Sequence, residues 1–336
     1  MPSRPCETVV VVIGRNEGDR LRCCLRSLAG QAAALVYVDS GSGDGSPQAA
    51  AAAGCSVVEL DPARPFSAAR ARNEGFARAI ELAPAVRFVQ FLDGDCSLVP
   101  GWLEQGIAAL DADPQAAIVC GAVRELHPEV SVYNRLCDLE WRREPGQIAS
   151  AGGRFLIRAR VFRAVDGFRS DVIAAEDDEF CIRVRQAGWR VLASAAPMAL
   201  HDAAMTRFGQ WFRRSRRMGH AYAQVAALHG SGSERYFVLD RRKILFWGLL
   251  LPLLALVLAP FTRGLSLAGL LVAYALQFLR ILGHGRARGW QLGDSALYSF
   301  FTVIGRLPAI LGLLDYHFAR ALGREPRIIE YKCPHS

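Results

Sequence analysis

Lysine is almost missing from this chain. Two of its 40 basic residues are lysines, Lys243 and Lys332, and the others are arginines. Against 32 acidic residues they give a formal net charge of +8 over 336 residues. Hydrophobic residues make up 51% of the chain, which allows a sizeable core and excludes global disorder. The mean hydropathy of +0.16 is high for a purely soluble protein and indicates a membrane-associated part.

Paired cysteine motifs are also missing. The nine cysteines are an odd number, and no two are spaced as Cys-x-x-Cys. This excludes a zinc ribbon and a disulfide framework, and predicts reduced thiols in a cytoplasmic catalytic region. The first apolar run ends at Gly14 without a cleavage site, so we do not expect a signal peptide.

Short apolar runs alternate with helical patterns over about the first 200 residues. The predicted strands are Thr8 to Ile13, Leu35 to Val38, Ser56 to Leu60 and Arg87 to Leu92, and the predicted helices are Asp19 to Leu28, Ser46 to Ala53 and Ser67 to Leu82. Continuous apolar strands in strand-helix-strand order predict an α/β fold with a mostly parallel sheet and flanking helices. Ligands of such sheets bind beyond the carboxyl ends of the strands, where Asp39, Asp93 and Asp95 stand.

The strongest chemical pattern is FLDGDC, residues Phe91 to Cys96. Its two carboxylates, Asp93 and Asp95, follow an apolar strand and flank a glycine. Such a pair can bind a divalent ion and a ligand together, and Mg²⁺ or Mn²⁺ prefers these hard oxygen donors. The ion would neutralise a departing diphosphate. Taken alone, an Asp-Gly-Asp segment is more often an ordinary turn, since Asp and Gly are favoured there.

A glycine-rich loop, Tyr37 to Ser46, follows the second predicted strand. It fits a nucleoside pocket in which Asp39 accepts a hydrogen bond from a base or ribose. It also fits a plain loop in which Ser46 caps the next helix. A dinucleotide site is excluded because Gly-x-Gly-x-x-Gly is missing after the first strand, where VVIGRNEGD stands instead.

Four consecutive acids, Glu176 to Glu179, open a predicted helix within Ala174 to Gly188. The helix dipole alone favours acids at that end. Packed carboxylates also raise one another's proton affinity, so one of them could serve as a general base.

Together these motifs resemble family-2 glycosyltransferases of the GT-A fold, from about Val9 to about Gly188. The matching positions are Asn16 and Glu17 in VVIGRNE, Asp39 in VDSGSGDG, Arg72 and Asn73 in ARNEG, Asp93 and Asp95, the turn Asp166-Gly167-Phe168, and Glu176 with Asp177. Ser40 stands where the family often has a second Asp. Six motifs in order are more specific than any one of them.

The resemblance implies an inverting enzyme that uses a nucleotide-diphospho-sugar. It assigns donor binding to Asn16, Glu17, Asp39, Ser40, Arg72 and Asp93, metal binding to Asp95, Asp93 and His201, and catalysis to Asp177 as base with Glu176 beside it. A histidine at the position of His201 can be a further metal ligand, and a lone histidine is as often structural.

Two apolar stretches, Ile244 to Phe261 and Gly264 to Leu279, predict a membrane-associated helical hairpin. The first has 18 residues, about 27 Å of helix, close to the roughly 30 Å of hydrocarbon. A hairpin buried within the protein is the alternative. A third stretch, Ser295 to Leu314, carries Arg306 and Pro308, so we expect it at the membrane interface.

Basic residues flank both ends of the hairpin, and a single one, Arg263, lies in its turn. The positive-inside rule therefore places both ends, and the catalytic region, on the cytoplasmic side of the cell inner membrane. The predicted domains are a catalytic domain at 1–205, a basic juxtamembrane region at 206–243, the hairpin at 244–282, and an interfacial helix with a basic tail at 283–336.

The features that indicate the acceptor are fewer. Ser97 replaces the Gln that polyprenyl-phosphate sugar synthases usually carry, and Arg214 replaces the Trp of the processive Gln-x-x-Arg-Trp motif. We therefore expect transfer of one sugar to a lipid-linked or membrane-proximal acceptor, in surface polysaccharide or glycolipid biosynthesis. The arginines and aromatics of Arg207 to Arg217 fit anionic lipid better than nucleic acid. A polyprenyl-phosphate sugar synthase and a non-catalytic nucleotide-sugar-binding scaffold remain the alternatives.

Overall fold

A computed structural model describes residues 7–323. The tail residues Arg324, Arg327 and Lys332 lie outside these described residues. The strands are β1 (Thr8–Gly14), β2 (Ala34–Asp39), β3 (Ser56–Glu59), β4 (Phe88–Asp93), β5 (Cys96–Leu98), β6 (Ala116–Glu125), β7 (Gly146–Gln147), β8 (Phe155–Arg158) and β9 (Arg190–His201). The helices are α1 (Asp19–Leu28), α2 (Ser46–Ala52), α3 (Ala68–Leu82), α4 (Trp102–Ala112), α5 (Val132–Trp141), α6 (Ala159–Ala164), α7 (Glu176–Gln186), α8 (Phe208–His229), α9 (Val238–Leu245), α10 (Leu251–Leu258), α11 (Leu265–Ala287), α12 (Leu292–Ile304) and α13 (Arg306–Ala321).

The strands form one sheet in the order β3-β2-β1-β4-β8-β6-β9-β5, with β7 paired to β9. Its first four strands are parallel, as predicted, and each begins and ends within one residue of its predicted bounds. The rest is mixed, because β8 runs antiparallel to both β4 and β6, while β6 and β9 are parallel. The N-terminal half of the sheet is therefore wholly parallel, and the other half is mixed.

The strand order creates a crevice at one edge of the sheet. From the central β1, the chain passes to β2 on one side and later to β4 on the other. Crossovers that leave a strand in opposite directions open a space beyond its carboxyl end. The ends of β1, β2 and β4 at this edge are Gly14, Asp39 and Asp93.

Helix α3 packs tightly on this parallel half because of one glycine. A Cβ at Gly75 would lie 2.3 Å from a methyl carbon of Val11 and 2.9 Å from one of Val38. The absence of a side chain lets the helix backbone approach the sheet, and this fixes the height at which the preceding Arg72 and Asn73 leave the helix. An aromatic cluster fills the core beside it, formed by Phe76, Phe91, Phe155, Phe162, Phe168 and Phe180.

The chain divides into two compact units. Of the described residues, the sheet unit contains 7–127 and Trp141–Ala203, and the helical unit contains Pro128–Glu140 and 204–323. The C-terminal limit of the sheet unit is close to the predicted boundary at 205. The prediction of one continuous domain did not anticipate that residues 128–140 join the helical unit.

Within the helical unit, α8 and α13 pack backbone to backbone. A Cβ at Gly219 would overlap the carbonyl of Ala309, and one at Gly312 would overlap that of Arg216. Arg216 also forms two hydrogen bonds of 2.6 and 2.8 Å with Asp315. These contacts attach α13 to α8 through the helix backbones as well as through a charge pair.

The first apolar stretch forms a helix that runs without a break from Val238 to Leu258, through a π-helical segment at Phe246–Leu250. Pro252 causes this irregularity, since it has no N–H to donate and its ring collides with the carbonyl four residues before it. The N–H of Leu251 bonds instead to the carbonyl of Phe246, five residues back.

Two other helices of the described range are long and apolar enough to cross a membrane. The first is Leu265–Ala287, whose most apolar 18-residue segment is 0% buried. The second is Leu292–Ala321, which comprises α12 and α13 and whose most apolar 18-residue segment is 39% buried. The first coincides with the second arm of the predicted hairpin. The second contains the third apolar stretch, and its Asp294 forms two hydrogen bonds of 2.8 and 2.6 Å with Arg135.

Candidate active site

The Asp-Gly-Asp segment turns sharply at the end of β4. The N–H of Gly94 donates to the carbonyl of Ile13 at 2.8 Å, and a Cβ at Gly94 would lie 3.3 Å from that same oxygen. The turn therefore separates the two acids. The Asp93 side chain stays 28% exposed in the crevice, whereas the Asp95 side chain is 1% exposed.

Asp95 meets His201, which lies more than a hundred residues later in the chain. Strand β9 runs antiparallel to β5, and this register pairs His201, its last residue, with Cys96. His201 Nε2 lies 3.0 Å from Asp95 Oδ2. The indole of Trp141 stacks on the imidazole with the ring centroids 4.3 Å apart, which fixes the plane of the ring. His201 is thus the end of a strand, where the sequence suggested a position just beyond one.

These two side chains fit a divalent ion. Neighbouring ligands of an octahedral ion at about 2.1 Å lie about 3.0 Å apart, which matches the Asp95–His201 distance. Cys96 lies within reach of both, but burial raises the pKa of its thiol well above the ordinary value, so a hard cation finds no thiolate there. Among the described residues, the side chains close enough together to share one ion here are Asp95, Cys96 and His201. Asp93, which the sequence analysis also assigned to the metal, is not in this group.

Asp93 is engaged by Arg72 instead. From its position on α3, Arg72 donates from Nη2 to Asp93 at 3.0 Å and from Nη1 to Glu176 at 2.7 Å. Its side chain is 3% exposed, and a Cβ at Gly153 would lie 2.3 Å from its Nη2. One guanidinium therefore joins the acid of the Asp-Gly-Asp turn to the acid cluster of α7. Arg72, which the sequence placed near the nucleotide, faces protein carboxylates.

The neighbouring Asn73 positions the start of the segment that leads to α7. Its side-chain amide donates to the carbonyl of Phe168 at 2.7 Å and accepts from the N–H of Phe168 at 2.8 Å. A Cβ at Gly167 would lie 2.6 Å from the Asn73 oxygen, so this turn requires a glycine. The Ala-Arg-Asn-x-Gly motif thus fixes α3 on the sheet, the acid cluster, and the approach to that cluster.

The predicted helix of the acid cluster begins at Glu176, as expected. Glu176 pairs with Arg72, and the fully buried Glu179 pairs with Arg183 at 2.8 Å. Asp177 Oδ2 lies 3.8 Å from the position that a Cβ of Gly152 would take. The next residue, Gly153, is the glycine that contacts Arg72, so the same loop passes both side chains. Burial, and after it the charges of Asp178 and Glu176, raise the pKa of Asp177 to about 7, against the lowering effect of Arg72. This is the pKa of a general base that works near neutral pH.

Hydrogen bonds to Asp39 stabilise the glycine-rich loop after β2. Asp39 accepts from Tyr37 Oη at 3.0 Å and from the N–H groups of Gly41 and Ser42 at 2.8 and 2.7 Å. The Asp39 side chain is buried, and its hydrogen-bond partners are Tyr37 of β2 and the backbone of the loop. The N–H of Ser40 donates to the carbonyl of Gly14, the end of β1.

The loop after β1 is tied to the same glycine-rich loop. Asn16 has a positive φ of 54°, donates its N–H to Ser42 Oγ at 2.8 Å and accepts from the N–H of Gly43 at 2.8 Å. Glu17 is buried and pairs with Arg20 at 2.8 Å. The structure thus brings four of the six predicted donor-site residues, Asn16, Glu17, Asp39 and Ser40, to one edge of the sheet, where two loops interlock.

Sequence reasoning missed Arg154 and Trp141. Arg154 Nη1 lies 2.7 Å from His201 Nδ1 and 3.6 Å from Asp93 Oδ2, and its guanidinium lies over the Trp141 ring at 5.4 Å. The two glycines before Arg154 were its one distinguishing sequence feature. In a chain so rich in arginine, that feature did not separate it from the others.

Comparison with known proteins agrees with this geometry. Residues 9–162 match the model of glycosyl transferase family 2. The pre-mycofactocin glycosyltransferase of Mycobacterium tuberculosis is 29% identical over 242 residues, which are 68% of this chain and 49% of that protein. Glycosyltransferase AglE of Haloferax volcanii is 23% identical over 244 residues, 68% of this chain and 77% of that protein. The chain thus spans about half the length of the first of these relatives.

Among solved structures, the mannosyltransferase PcManGT of Pyrobaculum calidifontis, in complex with GDP-Man and Mn²⁺, has a similar fold. The TM-score is 0.57 at 18% identity, over 94% of this chain and 88% of that one. The mixed sheet with flanking helices is therefore a GT-A fold, which confirms the predicted fold class.

Replacing Arg72 with leucine tests whether its ion pairs stabilise the fold. We expect the free energy of unfolding to fall by about 3 kcal/mol, because the substitution leaves Asp93 and Glu176 without their shared cation in a largely buried site. Chemical denaturation of the purified protein measures this. Arg78→Leu is the matched control on the same helix. Its guanidinium is 41% exposed, so its loss should cost less than about 1 kcal/mol. Equal losses for the two variants would contradict the structural role of Arg72.

Proposed function

We propose that this chain, which carries a glycosyl transferase family 2 domain, is an inverting, metal-dependent glycosyltransferase. It moves one sugar from a nucleotide-diphospho-sugar to a lipid-linked or membrane-proximal acceptor hydroxyl. The observation that supports this best is the Arg72 bridge, with hydrogen bonds of 3.0 Å to Asp93 and 2.7 Å to Glu176. It joins the turn that carries Asp95, a candidate metal ligand, to the start of the helix that carries Asp177, the candidate general base.

The donor would bind with its diphosphate toward Asp95 and His201, the residues that would hold a divalent ion. When bound, the ion supplies Lewis-acid stabilisation of the departing diphosphate. The imidazole of His201 favours Mn²⁺ over Mg²⁺, because Mg²⁺ takes oxygen donors almost exclusively. The solved structure with the similar fold holds GDP-Man and Mn²⁺, in line with this choice. The nucleoside lies against the interlocked loops at Asn16 and Asp39.

Asp177 accepts the proton of the acceptor hydroxyl as that oxygen attacks the anomeric carbon. Attack from the face opposite the leaving diphosphate inverts the configuration at that carbon. Glu176 is committed to Arg72 and positions the helix end, and Glu179 is committed to Arg183. Of the other two acids, Asp177 and Asp178, we assign the base to Asp177, because burial and neighbouring acids raise its pKa to about 7.

The apolar helices attach the enzyme to the inner membrane. Large apolar side chains of α10 and α11 are solvent-exposed, among them Leu254, Val257, Leu271 and Leu276. A helix whose apolar side chains point outward is stable in lipid and unfavourable in water. The charge pairs of α12 and α13 with α5 and α8 favour an interfacial position for these two helices. The basic residues at both ends of the hairpin place the catalytic unit on the cytoplasmic side.

Replacing Asp177 with asparagine tests the base. We expect kcat to fall by about a thousandfold, the usual contribution of a general base, while the donor still binds. Transfer from radiolabelled nucleotide-sugars to lipids of the source membranes measures turnover, and calorimetry measures donor binding. Asp171→Asn, which alters an exposed acid paired with Arg169, is the control that should keep wild-type activity.

Unchanged turnover in Asp177→Asn would exclude Asp177 as the base. No transfer by the wild type with any donor would favour the scaffold alternative. A labelled product that carries one sugar on a polyprenyl monophosphate would identify the synthase alternative.

The pH dependence of kcat/KM gives an independent test. The base must be deprotonated, so activity should rise with pH through about 7, the pKa to which burial and neighbouring acids raise Asp177. Asp178→Asn removes one like charge and should move the rise about half a pH unit lower. A shift toward higher pH, or none, would show that another group limits the rate.

Membrane attachment is tested on α11 of the full chain. Val272 and Leu276 lie one turn apart and are 57% and 61% exposed. Replacing both with arginine should release the protein from the carbonate-washed membrane fraction, because each charge costs at least about 2.5 kcal/mol near the bilayer centre. Leu82→Arg alters an exposed leucine of the sheet unit and should leave the distribution unchanged. Retention of the double variant in the membrane would exclude α11 as a spanning helix.

A further inference from the structure

Arg154 occupies a position that the proposed mechanism does not use. Its side chain is 14% exposed and lies between the two halves of the candidate donor site. Nη1 contacts His201 Nδ1 at 2.7 Å and approaches Asp93 Oδ2 to 3.6 Å. The flat face of the guanidinium rests on Trp141, which also stacks on His201. Three side chains therefore hold this cation beside a candidate metal ligand.

The contact with His201 determines which ring nitrogen carries the proton. A guanidinium only donates hydrogen bonds, so Nδ1 of a neutral His201 accepts from Arg154 and the ring proton is on Nε2. That proton faces Asp95 Oδ2 at 3.0 Å. A metal-binding imidazole needs a lone pair on the nitrogen that binds the ion, and its other nitrogen carries the proton. The observed arrangement and ion binding through Nε2 are thus mutually exclusive.

Charge balance leads to the same conclusion. These contacts bring together three carboxylates, those of Asp93, Asp95 and Glu176, and two guanidinium groups, of which that of Arg154 lies next to the imidazole of His201. A divalent ion that arrives alone adds positive charge next to a fixed guanidinium. A nucleoside diphosphate brings the compensating negative charge and offers Arg154 a bidentate partner that suits a planar guanidinium.

We propose that Arg154 is a positioning residue that couples metal binding to donor binding. Without donor, it holds His201 in the arrangement that does not bind metal. When the donor diphosphate arrives, Arg154 exchanges its contact with His201 for the phosphate oxygens. The imidazole then loses the proton on Nε2 to solvent and gains one on Nδ1, so it stays neutral and can bind the ion. This inference rests on the proposed function, and in particular on the Asp95–His201 metal site.

The test is Mn²⁺ binding to the full-length, detergent-purified protein, measured by electron paramagnetic resonance of the free ion. We expect wild-type protein to bind Mn²⁺ weakly alone and at least about tenfold more tightly with UDP or GDP. Arg154→Gln removes the competing charge and should bind Mn²⁺ alone about tenfold more tightly than wild type. The same variant should gain little from UDP or GDP, because binding energies of coupled ligands are reciprocal.

Arg190→Gln is the matched control. It removes one guanidinium of the sheet unit that is 47% exposed and pairs with Asp113, so its Mn²⁺ affinity should equal that of wild type. If Arg154→Gln binds Mn²⁺ alone no better than wild type, or keeps the full gain from nucleotide, the coupling role is wrong. If the wild type binds Mn²⁺ neither alone nor with UDP or GDP, the proposed metal site itself fails, and the inference fails with it.

A crystal structure of the wild type with Mn²⁺ and UDP or GDP supplies a readout that does not depend on how the variants fold. The coupling requires that Arg154 Nη1 move beyond hydrogen-bonding distance from His201 Nδ1, out from the present 2.7 Å. An unchanged contact beside a bound ion would overturn it.

Discussion

The guanidinium of Arg72 is the contact on which the geometry of the site depends. It lies between Asp93 at the end of β4 and Glu176 at the start of α7, two acids that would otherwise repel each other across the crevice. A pair of unit charges 4 Å apart interacts with about 4 kcal/mol at an effective dielectric constant of 20. The same cation lowers the pKa of Asp177 against the effect of burial and of two neighbouring acids. Its position follows from Gly75, which brings α3 onto the sheet.

The parallel half of the fold could be predicted almost residue by residue. Three of its strands, β1, β2 and β4, are mostly apolar runs that are largely buried, and α1 shows a clear helical repeat over its ten residues. The other half could not be predicted, because its order depends on pairing between distant segments. Nothing in the local pattern of β9 shows that it runs beside β6 and returns His201 to Cys96. Residues 128–140 belong to the helical unit for the same reason: the assignment depends on contacts with distant segments, which no local pattern shows.

Several of the predicted site residues face protein groups. The spacing of Asp93, Asp95 and Asp177 indicated acids at strand and helix ends, and one arginine, Arg72, joins Asp93 to Glu176, the neighbour of Asp177. Spacing does not show which way a side chain turns. Asp39 turns inward to the backbone of its own loop, so its contribution to a nucleoside pocket is the shape of that loop. Arg154 was missed because its role depends on a histidine 47 residues later.

A site whose charged groups are already paired imposes an order on binding. Each ligand must replace an existing hydrogen bond, and the net gain from an exchange is small unless the released partner finds a new one. Under the proposed function, a metal ion alone would replace the hydrogen bond between Asp95 and His201 and leave Arg154 beside an added positive charge. A nucleotide-diphospho-sugar that arrives with the ion offers acceptors to the displaced guanidinium, so the costs of the two exchanges offset each other. The internal pairing that keeps these charges together before binding therefore favours the complete donor over either of its parts.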